Sequence, residues 1–314
     1  MITAPRLVAA LAAQRVDLGG ELYLDPVPSK YSTSYPLHDL TVTRDDGERL
    51  ALLVKDLDRE SMLPAARDAK PRFLYDPNRE IGTYRCVLDP EVLGTARHYA
   101  SAAGGTTGAW IVLERVAGVP LVEIGDRTPW LDAMRWLARF HAHGPKSVDT
   151  RSLPVLRHDE RFYRTWMDRA RQFVADERLL WVADRYDAVV ERLLAQPRVF
   201  IHGECYASNV LVDGPRVCPI DWEMAGIGPA LVDVAAIVSG PGWDDADIMA
   251  MLGTYRAELG GRVDAELLAD LDACRVYLAI QWLGWSRSWA PPAELAHDWL
   301  SVAVAATERL EDQP

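Results

Sequence analysis

The sequence predicts an α+β chain, β-rich at the front and mostly helical at the back. Three observations carry that prediction. The 314 residues hold 49% hydrophobic and 25% charged side chains, ordinary globular proportions that disfavour extended disorder. Before residue 117 the apolar residues form short β-prone runs separated by Gly-containing turns. After Gly118 they fall mainly at helical spacing. The join is expected near residues 116–119, dividing the chain into 1–116 and 117–314.

The elements follow in order. The start, Met1-Ile2-Thr3-Ala4-Pro5-Arg6-Leu7 followed by Gln14, Arg15 and Asp17, reads as an amphipathic helix. The apolar stretch is short and lacks a basic flank at its front, so a cytoplasmic protein is expected rather than a signal peptide. Residues 40–43 and 50–55 flank Asp45-Asp46-Gly47, which predicts a hairpin with Lys55 ending its second strand. From Asn78, the residues Ile81, Tyr84, Val87 and Leu88 keep helical spacing, with Glu80 on a different stripe and Gly94 as the stop. Residues 95–103 and 109–113 predict a second hairpin across a turn at 104–108. Leu131, Met134, Leu137 and Phe140 mark a helix over 129–143, and two more helices are expected over 159–175 and 178–195. A compact β segment follows at 199–201, 210–212 and 217–220, with a turn at Asp213-Gly214-Pro215. Residues 230–310 read as three or four helices.

Composition excludes several classes. No apolar run approaches the ~20 residues of a membrane helix. A net charge of −12 argues against a nucleic-acid or anionic-membrane partner. The charge is uneven: residues 1–116 carry 14 basic and 16 acidic side chains, and the remainder 20 and 30. That imbalance reads as a solvated acidic surface or as a site attracting a cationic ligand. Cys86, Cys205, Cys218 and Cys274 show neither C-x-x-C nor zinc-like spacing, and are expected as small core residues in a reducing compartment.

Chemistry concentrates in His202-Gly203-Glu204-Cys205-Tyr206-Ala207-Ser208-Asn209, followed by Ile220-Asp221-Trp222-Glu223. Two apolar runs hold a polar loop that offers a carboxylate, Glu204, and a carboxamide, Asn209. A second carboxylate, Asp221, follows the next strand pair. Carboxylate and amide oxygens are hard ligands suited to Mg²⁺, and a separate carboxylate can accept a proton from an attacking hydroxyl. These are the parts of a phosphoryl-transfer site.

In these segments the sequence resembles the aminoglycoside phosphotransferase/choline kinase family, which has a two-lobed protein-kinase-like fold. The family pattern H-G-D-x-x-x-x-N, then I-D-[WF]-E, is matched by His202-Gly203-Glu204…Asn209 and by Ile220-Asp221-Trp222-Glu223. Gly228-Pro229 and Asp233 match the element that follows. The resemblance spans about residues 30–310 and implies a nucleotide-binding lobe at 1–116 and a helical lobe with catalytic loop, metal site and acceptor site at 117–314. It implies ATP, or another nucleoside triphosphate, and Mg²⁺. It implies that Lys55 contacts phosphates and Glu80 pairs Lys55, and that the Glu114 carbonyl and Val116 amide meet the base. Ser32 and Ser34 would lie in the phosphate-covering loop. Glu204 would be the base, and Asn209 and Asp221 the metal ligands.

The sequence departs from the family twice. Glu204 stands where the family has Asp, one methylene longer at similar intrinsic pKa. The expected phosphate-covering loop, residues 30–36, holds no glycine. These departures favour the alternative of a catalytically silent nucleotide- or ligand-binding protein. The expected activity is transfer of phosphate to a small-molecule hydroxyl, the acceptor being an aminosugar, a choline-like cation or a larger natural product. A monomer or a homodimer fits equally. His202 is expected as a structural hydrogen-bonder, and His141 and His143 as surface or capping residues. Trp282, Trp285 and Trp289 read as one helical face, packed in the core or lining the acceptor site. Asp244, Asp245 and Asp247 read as a helix start or as a holder of an ammonium group.

Overall fold

The structure, a computed structural model, describes residues 3–13, 15–25, 27–29, 32–104, 108–143, 151–239, 243–287 and 297–312. It is α+β and divides into two compact units, Met1–Ala117 and Gly118–Pro314. Among the described residues no helix is long and apolar enough to cross a membrane.

The first unit is built on an antiparallel sheet of five strands: β1 (Gly20–Leu24), β2 (Leu37–Arg44), β3 (Arg49–Asp56), β4 (His98–Ala103) and β5 (Ala109–Glu114), in the order β1-β2-β3-β5-β4. The expected β2–β3 hairpin forms, with Leu37 opposite Lys55 and Thr43 opposite Arg49. Strand side chains alternate between faces. One face therefore presents Leu40, Val42, Leu52, Val54, Trp110 and Val112, and α1 (Ala4–Ala13) covers it with Leu7, Ala10 and Leu11. Lys55, next to Val54, takes the opposite face. After the short α2 (Pro64–Ala69), α3 (Pro77–Cys86) packs against β4 and β5. Asp76 caps α3 by accepting from the Asn78 amide at 2.9 Å, and Pro77 occupies the first turn, where no amide proton is needed.

The helix predicted to run to Gly94 stops at Cys86. Pro90 cannot continue the ladder, and a separate turn, α4 (Pro90–Leu93), starts under the Asp89 cap. Gly94 ends that turn instead, at a φ of 66°. Cys86, expected in the core, is exposed; Cys205, Cys218 and Cys274 are buried, and all four are free thiols.

The second unit holds β6 (Val119–Pro120), α5 (Arg127–His143), β7 (Leu156–Arg157), α6 (Glu160–Phe173), α7 (Glu177–Ala183), α8 (Tyr186–Ala195), β8 (Arg198–Ile201), β9 (Val210–Asp213), β10 (Arg216–Pro219), β11 (Gly226–Pro229), α9 (Leu231–Ile237), α10 (Asp245–Glu258), α11 (Ala265–Leu283) and α12 (Trp299–Glu311). The single helix expected over 178–195 is two, parted at Asp184-Arg185 without a Gly or Pro to signal it. The β segment is also not one sheet: β9 pairs with β10 and β6, whereas β8 pairs with β11, which pairs with β7. Helices α9 and α11 are apolar nearly all round and correspondingly buried.

Candidate functional site

In the first unit the geometry centres on Lys55. Lys55 is 7% exposed, and its Nζ lies 3.0 and 2.8 Å from the two Glu80 carboxylate oxygens, Glu80 being 2% exposed. An isolated buried ammonium is costly to desolvate, so the sheet face and α3 must bring the pair together. The Tyr35 ring lies beside the Lys55 and Lys70 ammonium groups, at 5.4 and 5.1 Å. Ser32 and Ser34 lie in the preceding loop. Ser32 Oγ accepts from the Leu37 amide at 3.0 Å, and the Ser34 carbonyl accepts from the Leu63 amide at 3.1 Å. Lys30 and Tyr31, the start of the predicted phosphate-covering loop, lie outside the described residues. At the end of β5 the Glu114 amide donates to the Arg97 carbonyl at 2.8 Å, and the Arg115 amide to the Ala51 carbonyl at 3.1 Å. Arg115 Nε also donates to Asp39 at 2.8 Å, and the next residue, Val116, is buried.

In the second unit the polar loop, residues 202–209, bridges two sheets, leaving one along β8 and entering the other along β9. Gly203 adopts a φ of +85°, and a Cβ there would stand 2.3 Å from the Met224 carbonyl oxygen, so only glycine fits. Within the loop the Tyr206 amide donates to the Glu204 carbonyl at 2.8 Å, and Asn209 Nδ2 donates to the same carbonyl at 3.0 Å. The β9–β10 register continues one step further, with the Ile220 amide donating to the Asn209 carbonyl at 2.9 Å. Asp221 is therefore delivered next to Asn209. It is one of two non-glycine residues with positive φ among those described, at φ 63° and ψ 62°. Such a conformation costs an L-residue about 1–2 kcal/mol, and strain of this kind concentrates where geometry serves function.

The loop is pinned from beneath by Asp233 on α9, which is fully buried. Its carboxylate accepts from the His202 amide at 2.7 Å and the Gly203 amide at 2.8 Å, and lies 3.1 Å from His141 Nε2. Burial alone would raise the Asp233 pKa. The hydrogen bond and electrostatic pull of His141, with the His202 amide, outweigh it and hold the carboxyl below its usual range. His141 Nδ1 in turn lies 2.9 Å from the Tyr255 hydroxyl of α10. His202 Nε2 meets the Ile220 carbonyl at 2.8 Å and its ring lies 4.5 Å from that of Trp222, while burial pushes its pKa down. A neutral, doubly engaged imidazole is structural, as the sequence suggests.

A family model for the phosphotransferase enzyme family (APH) matches residues 84–277, more than half of the chain. The chain belongs to this family. Solved structures of phosphotransferases agree in fold. They include choline kinase LicA from Streptococcus pneumoniae (12% identity, 96% of this chain and 97% of that one, TM-score 0.60). A choline/ethanolamine kinase family protein from Mesorhizobium loti is similar (15%, 99% and 94%, TM-score 0.58). So is amicoumacin kinase hAmiN in complex with AMP-PNP, Ca²⁺ and Ami (12%, 99% and 96%, TM-score 0.56). No curated protein matches the chain.

For a phosphotransferase the donor set has the right chemistry for Mg²⁺. Asn209 spends its amide nitrogen on the Glu204 carbonyl, so its oxygen is the end that would face a cation, and Asp221 would add a carboxylate.

Several expectations need correction. His141, expected at the surface or as a cap, is buried between Asp233 and Tyr255, because α10 packs along α5. The His143 side chain lies outside the described residues. The tryptophan stripe is broken where α11 ends at Leu283. Trp282 stacks on Trp299 at 5.4 Å, Trp285 stacks on Trp166 at 5.8 Å, and Trp289 lies outside the described residues. The helix-start reading of the acidic cluster holds instead: Asp244 caps α10 through the Asp247 amide at 2.9 Å, and Asp247 pairs with Arg127. Tyr255 and the Tyr206–Trp282 contact carry no signal in local sequence, since their partners come from distant helices.

Proposed function

We propose that this phosphotransferase transfers the terminal phosphate of ATP, or of another nucleoside triphosphate, to a hydroxyl of a small molecule, with Mg²⁺ as the metal. The observation that carries the reading is the loop at 202–209. Its backbone is anchored to a buried carboxylate, and it bears Glu204 and Asn209 with Asp221 alongside. In this reading residues 1–116 bind the nucleotide and residues 117–314 hold the metal and the acceptor. Lys55, steadied by Glu80, meets the phosphates. Ser32 and Ser34 lie on the loop that would cover them, and the Glu114 carbonyl and Val116 amide meet the base. Asn209 and Asp221 hold Mg²⁺, which when bound neutralises charge on the phosphates. Glu204 accepts the hydroxyl proton as the acceptor oxygen bonds to the γ-phosphorus and the bridge to the leaving diphosphate breaks. The AMP-PNP and Ca²⁺ bound to amicoumacin kinase hAmiN support nucleotide and divalent-metal use. The excess of 30 acidic over 20 basic residues after position 116 favours a cationic acceptor, such as an aminosugar or a choline-like amine. A larger natural product would suit the tryptophan content.

The test is a thermal-shift titration with ATP, with and without Mg²⁺, followed by a turnover screen of hydroxyl-bearing small molecules. A ligand at ~100 Kd stabilises the native state by ~2.7 kcal/mol. Asp221→Ala should abolish the Mg²⁺-dependent part, and Asn209→Ala should weaken it less. A parent protein that MgATP does not stabilise would refute the proposal. Glu204, standing where the family has Asp, favours a second reading as a silent binder. Under the enzymatic reading, Glu204→Gln keeps MgATP binding and loses about 10²–10⁴-fold in turnover. Activity that appears only in Glu204→Asp would establish the silent binder.

A further inference from the structure

Two anchors hold the ends of the 202–209 loop. Asp233 accepts from the His202 and Gly203 amides, and the Ile220 amide donates to the Asn209 carbonyl at 2.9 Å. Between those ends the backbone turns on Tyr206. Its amide donates to the Glu204 carbonyl at 2.8 Å, and its carbonyl accepts from the Asn209 amide at 2.8 Å. The peptide groups of Tyr206 therefore tie together the two loop residues that carry the chemistry. Tyr206 is 3% exposed, and its hydroxyl oxygen accepts from Trp282 Nε1 at 2.5 Å. The two rings also meet edge to face, with centroids 5.5 Å apart at 61°. Trp282 is itself fixed: its ring is stacked at 5.4 Å and 8° on Trp299, which is buried and joins α11 to α12.

We infer that the Trp282–Tyr206 hydrogen bond is a third anchor of the loop, fixing from α11 the backbone that presents Glu204 and Asn209. Both are positioning residues. Trp282 acts on the Tyr206 side chain, and Tyr206 acts through its own amide and carbonyl on its two neighbours. Groups that orient a metal ligand from behind commonly matter about 10–100-fold to metal affinity or activity. The inference deepens the proposed function and rests on it only for the consequence at Mg²⁺; the anchoring of the backbone stands apart from it.

Two measurements test it. The first needs neither ligand nor activity: native-state hydrogen exchange, read at four loop amides. Tyr206→Phe removes the acceptor and Trp282→Phe removes the donor while keeping an aromatic ring. Either should speed exchange at the Tyr206 and Asn209 amides about tenfold, and leave the His202 and Gly203 amides, held by Asp233, within about twofold. The double variant should match the singles, because both changes remove one bond. Exchange at Tyr206 and Asn209 within about twofold of the parent overturns the inference. So does equal acceleration at all four amides, or effects that multiply in the double variant. The second measurement is the thermal-shift titration with ATP. Tyr206→Phe should raise the Mg²⁺ concentration for half of the MgATP stabilisation about tenfold, with ATP affinity in the absence of Mg²⁺ within about twofold. General loosening of the fold would weaken both. If Asn209→Ala shifts the Mg²⁺ requirement and Tyr206→Phe does not, the positioning role is overturned. A parent that MgATP does not stabilise would count against the phosphotransfer reading alone, because the exchange pattern still decides the anchor.

Discussion

Asp233→Asn should cost this protein about 3–4 kcal/mol of stability, and the figure follows from what the carboxylate touches. Its two oxygens serve the His202 amide at 2.7 Å, the Gly203 amide at 2.8 Å and His141 Nε2 at 3.1 Å, with no exposure to water. Asn keeps the shape but only one accepting oxygen. If that oxygen replaces the one shared by His202 and His141, the new NH₂ faces the Gly203 amide, donor against donor. The flipped rotamer is worse, because the NH₂ then confronts two partners. A hydrogen bond to a charged group contributes about 1.5–3 kcal/mol, and an unmet buried donor costs about 1–3 kcal/mol. One lost bond, one orphaned amide and weakened remaining bonds give the stated figure, a large share of a ~5–15 kcal/mol total. Urea unfolding measures it, and hydrogen exchange at the His202 and Gly203 amides locates it. A loss below about 1 kcal/mol, with exchange at both amides unchanged, would refute the claim that Asp233 anchors the loop.

The other expectations are more local. Gly203→Ala should destabilise by about 2–4 kcal/mol, since it adds a left-handed penalty to a 2.3 Å clash with the Met224 carbonyl; a change under about 0.5 kcal/mol in unfolding would contradict that geometry. Glu80→Gln should cost about 3 kcal/mol by leaving Lys55 buried without its counter-charge, and calorimetry should show a weaker affinity for ATP. Lys55→Ala should weaken ATP binding further, and an ATP affinity within a factor of two of the parent would remove Lys55 from the nucleotide site. Burial pushes the His158 pKa down to about 3. Between that value and ~6.5 the unfolded chain binds the proton that the native state refuses. Stability should therefore be unaffected by this group above pH ~6.5 and fall by about 1.4 kcal/mol per unit as pH drops below it. His158→Phe should flatten that acid limb in a series of unfolding curves.

What the sequence made legible was local. The β2–β3 hairpin is written in alternation around Asp45-Asp46-Gly47, and the register puts Lys55 where the pattern puts it. Strands β6 and β7 have two residues each, too short for any period, so the separation of the back β segment into two sheets is not readable from residues 199–220 alone. The break between α7 and α8 lacks a glycine or proline, and the arrest of α3 at Cys86 was obscured by a more obvious glycine eight residues on.

At the site the dividing line is between groups that sit on the motif and groups that hold it. Glu204, Asn209 and Asp221 are named by their spacing. Asp233 belongs to the same pattern, but its task depends on the left-handed turn at Gly203, which aims two consecutive amides at one carboxylate. His141 departs from expectation because a histidine near a helix end is ordinarily a surface or capping residue. Its burial comes from α9 and α10, whose contributing residues lie 92 and 114 positions further along the chain. The same holds for Tyr206, whose partner Trp282 lies 76 residues away. Spacing within a motif thus names the candidates for chemistry. The groups that fix their positions are supplied by distant helices, and a pattern in sequence carries them only when packing has brought the helices together.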